Sequence, residues 1–155
     1  SNSKGFELSA VCRRFRNLEL QANYGYTYAQ FLHYKKSATV DFSRNMLPMV
    51  PRQTMAFVAN YTLFHVMGLD KLLLNAALTG TGKIYWTEDN KLVQPFYALL
   101  NMKIAAPKGR FTWELWSKNT TTTRYMSYAF ASSAKFAQRG KPFMLGTSLV
   151  FRLHP

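Results

Sequence analysis

The groups in this sequence that could do acid–base, nucleophilic or metal chemistry are few. They are three histidines, His33, His65 and His154, one cysteine, Cys12, and one adjacent pair of carboxylates, Glu88 and Asp89. Acid–base catalysis needs two titratable groups across a substrate, nucleophilic catalysis a nucleophile with its base, and a metal site clustered ligands. The histidines are scattered, and no Ser-His-Asp order, paired-His spacing or Gly-rich phosphate loop occurs. Glu88 and Asp89 sit in a polar stretch that reads as solvated. Cys12 has no partner for a disulfide or a cysteine metal site, so it is silent on compartment. The sequence reads as a non-enzyme with no cofactor and no metal. Asn60-Tyr61-Thr62 and Asn119-Thr120-Thr121 match the glycosylation acceptor pattern, but both fall inside expected strands, where chance accounts for them.

Binding chemistry is better supplied. Twenty Lys and Arg against seven Asp and Glu give a formal charge of +13 in 155 residues, which points to an anionic partner. Nucleic acid would require clustered cations with exposed aromatics or a reading helix. Here the cations are dispersed, apart from "RRFR" (13–16) and "HYKK" (33–36), so no nucleic-acid partner is expected. Lipopolysaccharide phosphates or an anionic small ligand satisfy the same charge. A composition of 48% hydrophobic and 17% charged residues excludes a disordered chain.

The elements that must position these groups are strands. A period of two runs along the chain: Leu18, Leu20, Ala22, Tyr24, Tyr26 and Tyr28 alternate with Glu19, Gln21, Asn23, Gly25, Thr27 and Ala29. The same alternation recurs at 55–63, 72–78, 96–104, 111–115 and 143–153, and with "KGFELSAVC" near the start it gives seven strands and almost no helix. The connections alternate in length. Short turns are expected at 13–17, 65–70 and 106–109, and long polar segments at 33–50, 87–94 and 132–138. This is the alternation of an up-and-down transmembrane β-barrel. Tyrosine and tryptophan gather where strands are expected to end, at Tyr24, Tyr26 and Tyr28, at Tyr85 and Trp86, at Trp113 and Trp116 near a short turn, and at Tyr125 and Tyr128 near a long loop. The longest uncharged run, 53–69, has 17 residues broken by Asn60 and other polar residues, so no helical membrane span is expected. A small stand-alone β-barrel or sandwich that binds an anionic ligand or polyanion stays open beside the membrane barrel.

The succession "KGFELSA", "NLELQANYGYTYAQF", "NMLPMVPRQT", "YWTEDN", "QPFYALLNMKIA", "WELWSKNTTTTRY" and "KPFMLGTSLVFRL" resembles the C-terminal barrel strands of TonB-dependent outer-membrane receptors, the siderophore, haem and cobalamin transporters. Leu47, Pro48, Val50 and Pro51 match the family's Leu-Pro-x-Val-Pro. Asn119, Thr121 and Tyr125 match its Asn-Leu-Thr/Phe-Asp-x-x-Tyr, with Thr120 and Thr122 where Leu and Asp are usual. The resemblance implies that 113–130 includes a strand segment through 119–125. Leu153 stands where the family's terminal aromatic is usual, with His154 and Pro155 after it.

The resemblance further implies an all-β, antiparallel up-and-down meander of about seven strands, part of a larger barrel in the bacterial outer membrane. Residues 1–155 form one segment, with 1–3 partly a tag scar and no plug domain. The implied role is binding of a scarce ligand, such as a ferric siderophore, followed by import with TonB-coupled energy. Partners would be the remaining barrel strands and plug, lipopolysaccharide, and TonB only through the plug; the isolated piece would self-associate. The residues on expected outer loops and strand ends that would meet a ligand are Tyr34, Lys35, Lys36, Arg44, Tyr85, Trp86, Lys91, Tyr128 and Lys135. Aromatic and cationic groups suit an anionic chelate by stacking and Coulomb attraction.

Overall fold

The computed structural model describes residues 1–66 and 68–153, so His154 and Pro155 lie outside the described residues. Alternation drives the chain into eleven strands and, among the described residues, no helix. β1 (Asn2–Phe15), β2 (Leu18–Gln30), β3 (Gln53–Val66), β4 (Leu69–Thr81), β7 (Tyr97–Lys108), β8 (Phe111–Lys118) and β11 (Met144–Phe151) build one antiparallel sheet in the order β1-β2-β3-β4-β7-β8-β11. These are the seven expected strands, paired as a meander. Four short strands were not anticipated: β5 (Ile84–Tyr85) pairs β6 (Val93–Gln94), and β9 (Met126–Ala131) pairs β10 (Lys135–Arg139). They fold two of the long connections into hairpins. Asn2 and Ser3, assigned in part to a scar, stand opposite Gln30 and Ala29 in the ladder.

The short connections turn where the backbone can become left-handed. Asn17 has φ 67°, Gly68 φ 74° and Gly109 φ 58°, conformations that asparagine and glycine adopt at low cost. All three turns lie at one end of the sheet, and the long connections 31–52, 82–96 and 119–143 lie at the other. Between Cys12 and Phe15 the ladder shifts register, so two residues of β1 oppose Glu19 of β2.

The register makes two faces of opposite character. Ala10, Ala22, Phe57, Leu78 and Leu100 align in one row across five strands, and Cys12, Leu20, Ala59, Ala76 and Met102 in the next. The row on the opposite face holds Glu19, Asn60, Asn75, Lys103 and Trp116. There the Asn75 amide donates to Asn60 Oδ1 at 2.7 Å, Lys103 pairs with Glu114 at 3.3 Å, and Arg13 pairs with Glu19. The apolar face is bare: Leu8 is 64% exposed, Leu145 63% and Leu149 67%. A compact folded monomer of 17.8 kDa exposes about 8,000 Å². This chain exposes 11162 Å². Water does not tolerate such a surface, whereas hydrocarbon does.

β1 to β4 and β7 have 12 to 14 residues, more than the roughly 9–11 tilted residues that cross a bilayer. No helix is long and apolar enough to cross a membrane, which leaves a strand crossing untouched. β1 and β11 are the two edges of the sheet and do not pair with each other.

The aromatic positions divide. Tyr24, Tyr26 and Tyr28 lie at the long-loop end of β2 on the apolar side, with Phe6 against Tyr24 and Tyr26, and Trp113 lies on that side near a short turn. Trp116 departs from expectation: it stands on the polar face toward the long-loop end and donates to Ser148 Oγ at 3.2 Å. Tyr85 is not the end of a long strand but part of β5, and Trp86 follows it in the connection.

Candidate functional site at the long-loop end

At the long-loop end the three connections are stitched to one another. In the first, the Tyr34 ring packs against Phe31 and Phe42, at 4.7 and 5.8 Å between centroids. Its hydroxyl donates to Glu88 Oε1 of the second connection at 2.8 Å, and Lys36 donates to Glu88 Oε2 at 3.1 Å. Asn45 Nδ2 reaches the Glu88 carbonyl, and Asn90 exchanges two bonds with the backbone of Met46. Glu88, expected to be merely solvated, is instead the knot between two loops.

Its surroundings set the local titration. The Tyr34 hydroxyl, then the Lys36 ammonium, hold the Glu88 carboxyl below its ordinary range, and the carboxylate in return raises both Tyr34 and Lys36. Asp89 is lowered by the Thr87 hydroxyl and the Lys91 amide.

The second and third connections join through apolar packing. Ile84, Trp86 and Ala129 form a small buried cluster with Leu92 and Met126 against it. Trp86 meets Tyr128 edge-on at 6.0 Å. Gln94, almost fully buried, accepts the Met126 amide at 2.7 Å and donates to the Pro95 carbonyl. Tyr97 and Tyr125 stack at 4.4 Å. A polar donor is left over: Trp86 Nε1 is buried and meets no acceptor among the described residues.

The stretch 119–125 corrects the sequence expectation. It is not a strand: β8 ends at Lys118, and Asn119 turns the chain with φ 48°, Thr122 following at φ 54°. Asn119 is buried, at 4% exposure, because its side chain substitutes for a ladder. Its Oδ1 accepts the Thr123 amide at 2.9 Å, and its Nδ2 donates to the carbonyls of Thr123 and Lys141 at 2.9 and 3.0 Å. Thr121 is held to Thr123 through their hydroxyls. The Asn119 acceptor pattern therefore falls in a turn, while Asn60 does lie in β3. Leu47, Pro48, Val50 and Pro51 bring the chain from the first loop into β3, with Leu47 bonded to the Ala29 carbonyl and Met49 to that of Tyr85.

A cavity of about 530 Å³ opens among the three connections. Of the nine residues marked for ligand contact, Lys36, Trp86, Lys91 and Lys135 line it. Tyr34, Lys35, Arg44, Tyr85 and Tyr128 do not; Tyr34 and Tyr128 instead buttress residues that do, and Tyr85 carries Lys83 over its ring. Phe42, Glu88, Asp89 and Phe130 also line it, as do Pro48, Met49, Thr87, Leu92 and Ala131, and none of these was among the nine. Phe42 and Phe130 share the aromatic-plus-cation composition used to choose the others, and only the chain path brings them in. No group of three or more metal-ligating side chains occurs among the described residues.

No family model matches the sequence. Solved structures do. The ferric yersiniabactin uptake receptor FyuA from Yersinia pestis superposes with a TM-score of 0.83 at 22% identity, over 96% of this chain and 23% of that one. The siderophore receptor PiuA from Acinetobacter baumannii gives 0.74 at 19% identity, over 96% and 21%. The ferric-catecholate import receptor Fiu from K12 E. coli gives 0.70 at 17%, over 96% and 20%. The chain thus spans about a fifth to a quarter of the structures it matches, and these are receptors rather than enzymes. The chain has the fold of a C-terminal segment of the β-barrel of TonB-dependent siderophore receptors.

Proposed function

We propose that this chain is one segment of a bacterial outer-membrane receptor that binds an anionic metal chelate of the ferric-siderophore type and imports it through a plugged barrel with TonB-coupled energy. The observation that carries the reading is the loop cavity, which sets Lys36, Lys91 and Lys135 around Trp86, Phe42 and Phe130 at the long-loop end of a sheet whose apolar face is bare. Cations supply attraction for an anionic chelate, and aromatic rings supply stacking area. Residues 1–155 act as a single segment, and the remaining strands and the plug complete the lumen. Lipopolysaccharide phosphates are the partners for the cations outside the cavity, Lys35 and Arg44 among them.

The stand-alone alternative requires one copy to close its own barrel, and here β1 and β11 stand at opposite edges. The test is binding of a panel of ferric siderophores to the complete protein that carries this chain, before and after Lys36→Glu, Lys91→Glu and Lys135→Glu together. The expected result is at least tenfold weaker binding of one chelate. Unchanged affinity for every chelate bound by the parent removes the cavity from the site.

A further inference from the structure

The opposite end of the sheet carries a second concentration of charge. The three tight turns and the end of β11 gather Arg14, Arg16, Lys71, Lys108, Arg110 and Arg152 along one rim. All six are exposed, and none forms an ion pair among the described residues. Of the carboxylates at this end, Glu19 is taken by Arg13, and Asp70 stands at the start of β4 with no ion pair among the described residues. The Arg152 amide donates to the Arg110 carbonyl at 2.9 Å, which fixes these two residues beside each other. Like charges so placed repel, and nothing in the fold needs them there.

Their position relative to the apolar face identifies what they meet. Phe15, Phe111 and Phe151 end that face at this rim, each about half exposed, with the Phe111 and Phe151 rings 4.9 Å apart. Lys108 belongs to the apolar face by register, directly opposite Phe111, so a cation continues the row that runs Met102, Ile104 and Ala106. Hydrocarbon, then aromatic ring, then cation is the order in which a bilayer presents acyl chains, interface and phosphate. An acidic protein would be met from the polar side or from the turns alone, and would leave Lys108 unexplained.

We propose that the short-turn rim binds the phosphate headgroups of anionic glycerophospholipids in the leaflet that borders it. The proposal rests on the membrane-barrel reading and adds a lipid site to it, at the end away from the ligand cavity. Guanidinium groups take phosphate oxygens two at a time, so Arg110, in the turn beside Phe111, takes one headgroup while Lys108 holds it against the apolar face; Arg152 and Lys71 stand on the polar side, where they line a cavity with Lys103 and Glu114.

The experiment uses the complete protein that carries this chain, purified in non-ionic detergent and mixed with equal amounts of phosphatidylglycerol and phosphatidylcholine. Retained lipids are counted by mass spectrometry of the intact complex. Wild type is expected to retain phosphatidylglycerol at least tenfold over phosphatidylcholine. Lys108→Glu/Arg110→Glu is expected to lose that preference, at roughly fivefold per cation removed. The corresponding double Gln variant guards against misassembly and loses most of the preference with the barrel intact. Equal retention of both lipids by wild type, or an unchanged preference in both variants, overturns the lipid site alone, and capture of an acidic protein by wild type and not by the variants would then assign the rim to that class. A protein that is monodisperse in water and retains no lipid overturns the membrane reading and the lipid site together.

Discussion

Asn119→Ala is the perturbation whose magnitude the structure defines best. The side chain makes three hydrogen bonds, one accepted from the Thr123 amide and two donated to the Thr123 and Lys141 carbonyls, in a position 4% exposed. Each net bond contributes about 1 kcal/mol, so their loss costs about 3 kcal/mol. Alanine must also hold φ 48°, where a Cβ without a local hydrogen bond costs roughly 1 kcal/mol more. The expected total is about 4 kcal/mol, which by the tenfold-per-1.4 kcal/mol rule raises local opening of the 119–123 turn roughly a thousandfold. Hydrogen exchange at the Thr123 amide, followed in the complete protein, reads that opening directly. Asn119→Gly removes the same three bonds without the backbone penalty and should fall about fivefold short of the Ala effect. An Ala variant that accelerates exchange by less than tenfold would refute the view that this asparagine holds the turn.

Three further outcomes follow from the same geometry. Glu88 is held below its ordinary range by Tyr34 and Lys36, so its stabilising tie is fully present above the ordinary glutamate range and is lost as pH falls through the lowered value. Tyr34 and Lys36 are raised, so their share is present below their ordinary values and lost as pH rises through the raised ones. Exchange protection at the Met46 amide should therefore be flat from the ordinary glutamate value of 4.5 up to the ordinary tyrosine value of 10.0 and fall beyond both, and a Glu88→Gln variant should lose the acid limb; persistence of that limb would assign it to another carboxylate. Cys12 is exposed on the apolar face, so in a bilayer it should resist a membrane-impermeant maleimide and react once the protein is unfolded in denaturant; rapid labelling of the folded protein would turn that face to water. The 155-residue chain alone, with two unpaired edges, should run as a large associated species in detergent-free buffer by chromatography with light scattering, and a clean monomer would count against the barrel-segment reading.

The alternation of residue types carried most of the sheet. Period two over 18–29 and its repeats determine seven strands and two faces, because each residue's side is fixed by parity once the chain is extended, whatever its neighbours. The short turns were legible for a similarly local reason: Asn17 and Gly109 take left-handed conformations at little cost. What parity cannot supply is which distant loops touch. Glu88 in "TEDN" looks solvated until the sheet order sets its loop beside Tyr34 and Lys36, more than fifty residues away. Trp86 looks like a strand-end aromatic until Ala129 and Met126 close over it. The strand expected through 119–125 failed because Asn119 finds its partners at Thr123 and Lys141, and a side chain that satisfies the backbone locally releases it from the ladder. The sequence alone thus determined the fold class, the seven long strands and the bare apolar face. Only the tertiary structure decided that Lys36, Lys91 and Lys135 share one cavity, because contacts between loops depend on the order in which the sheet brings strand ends together.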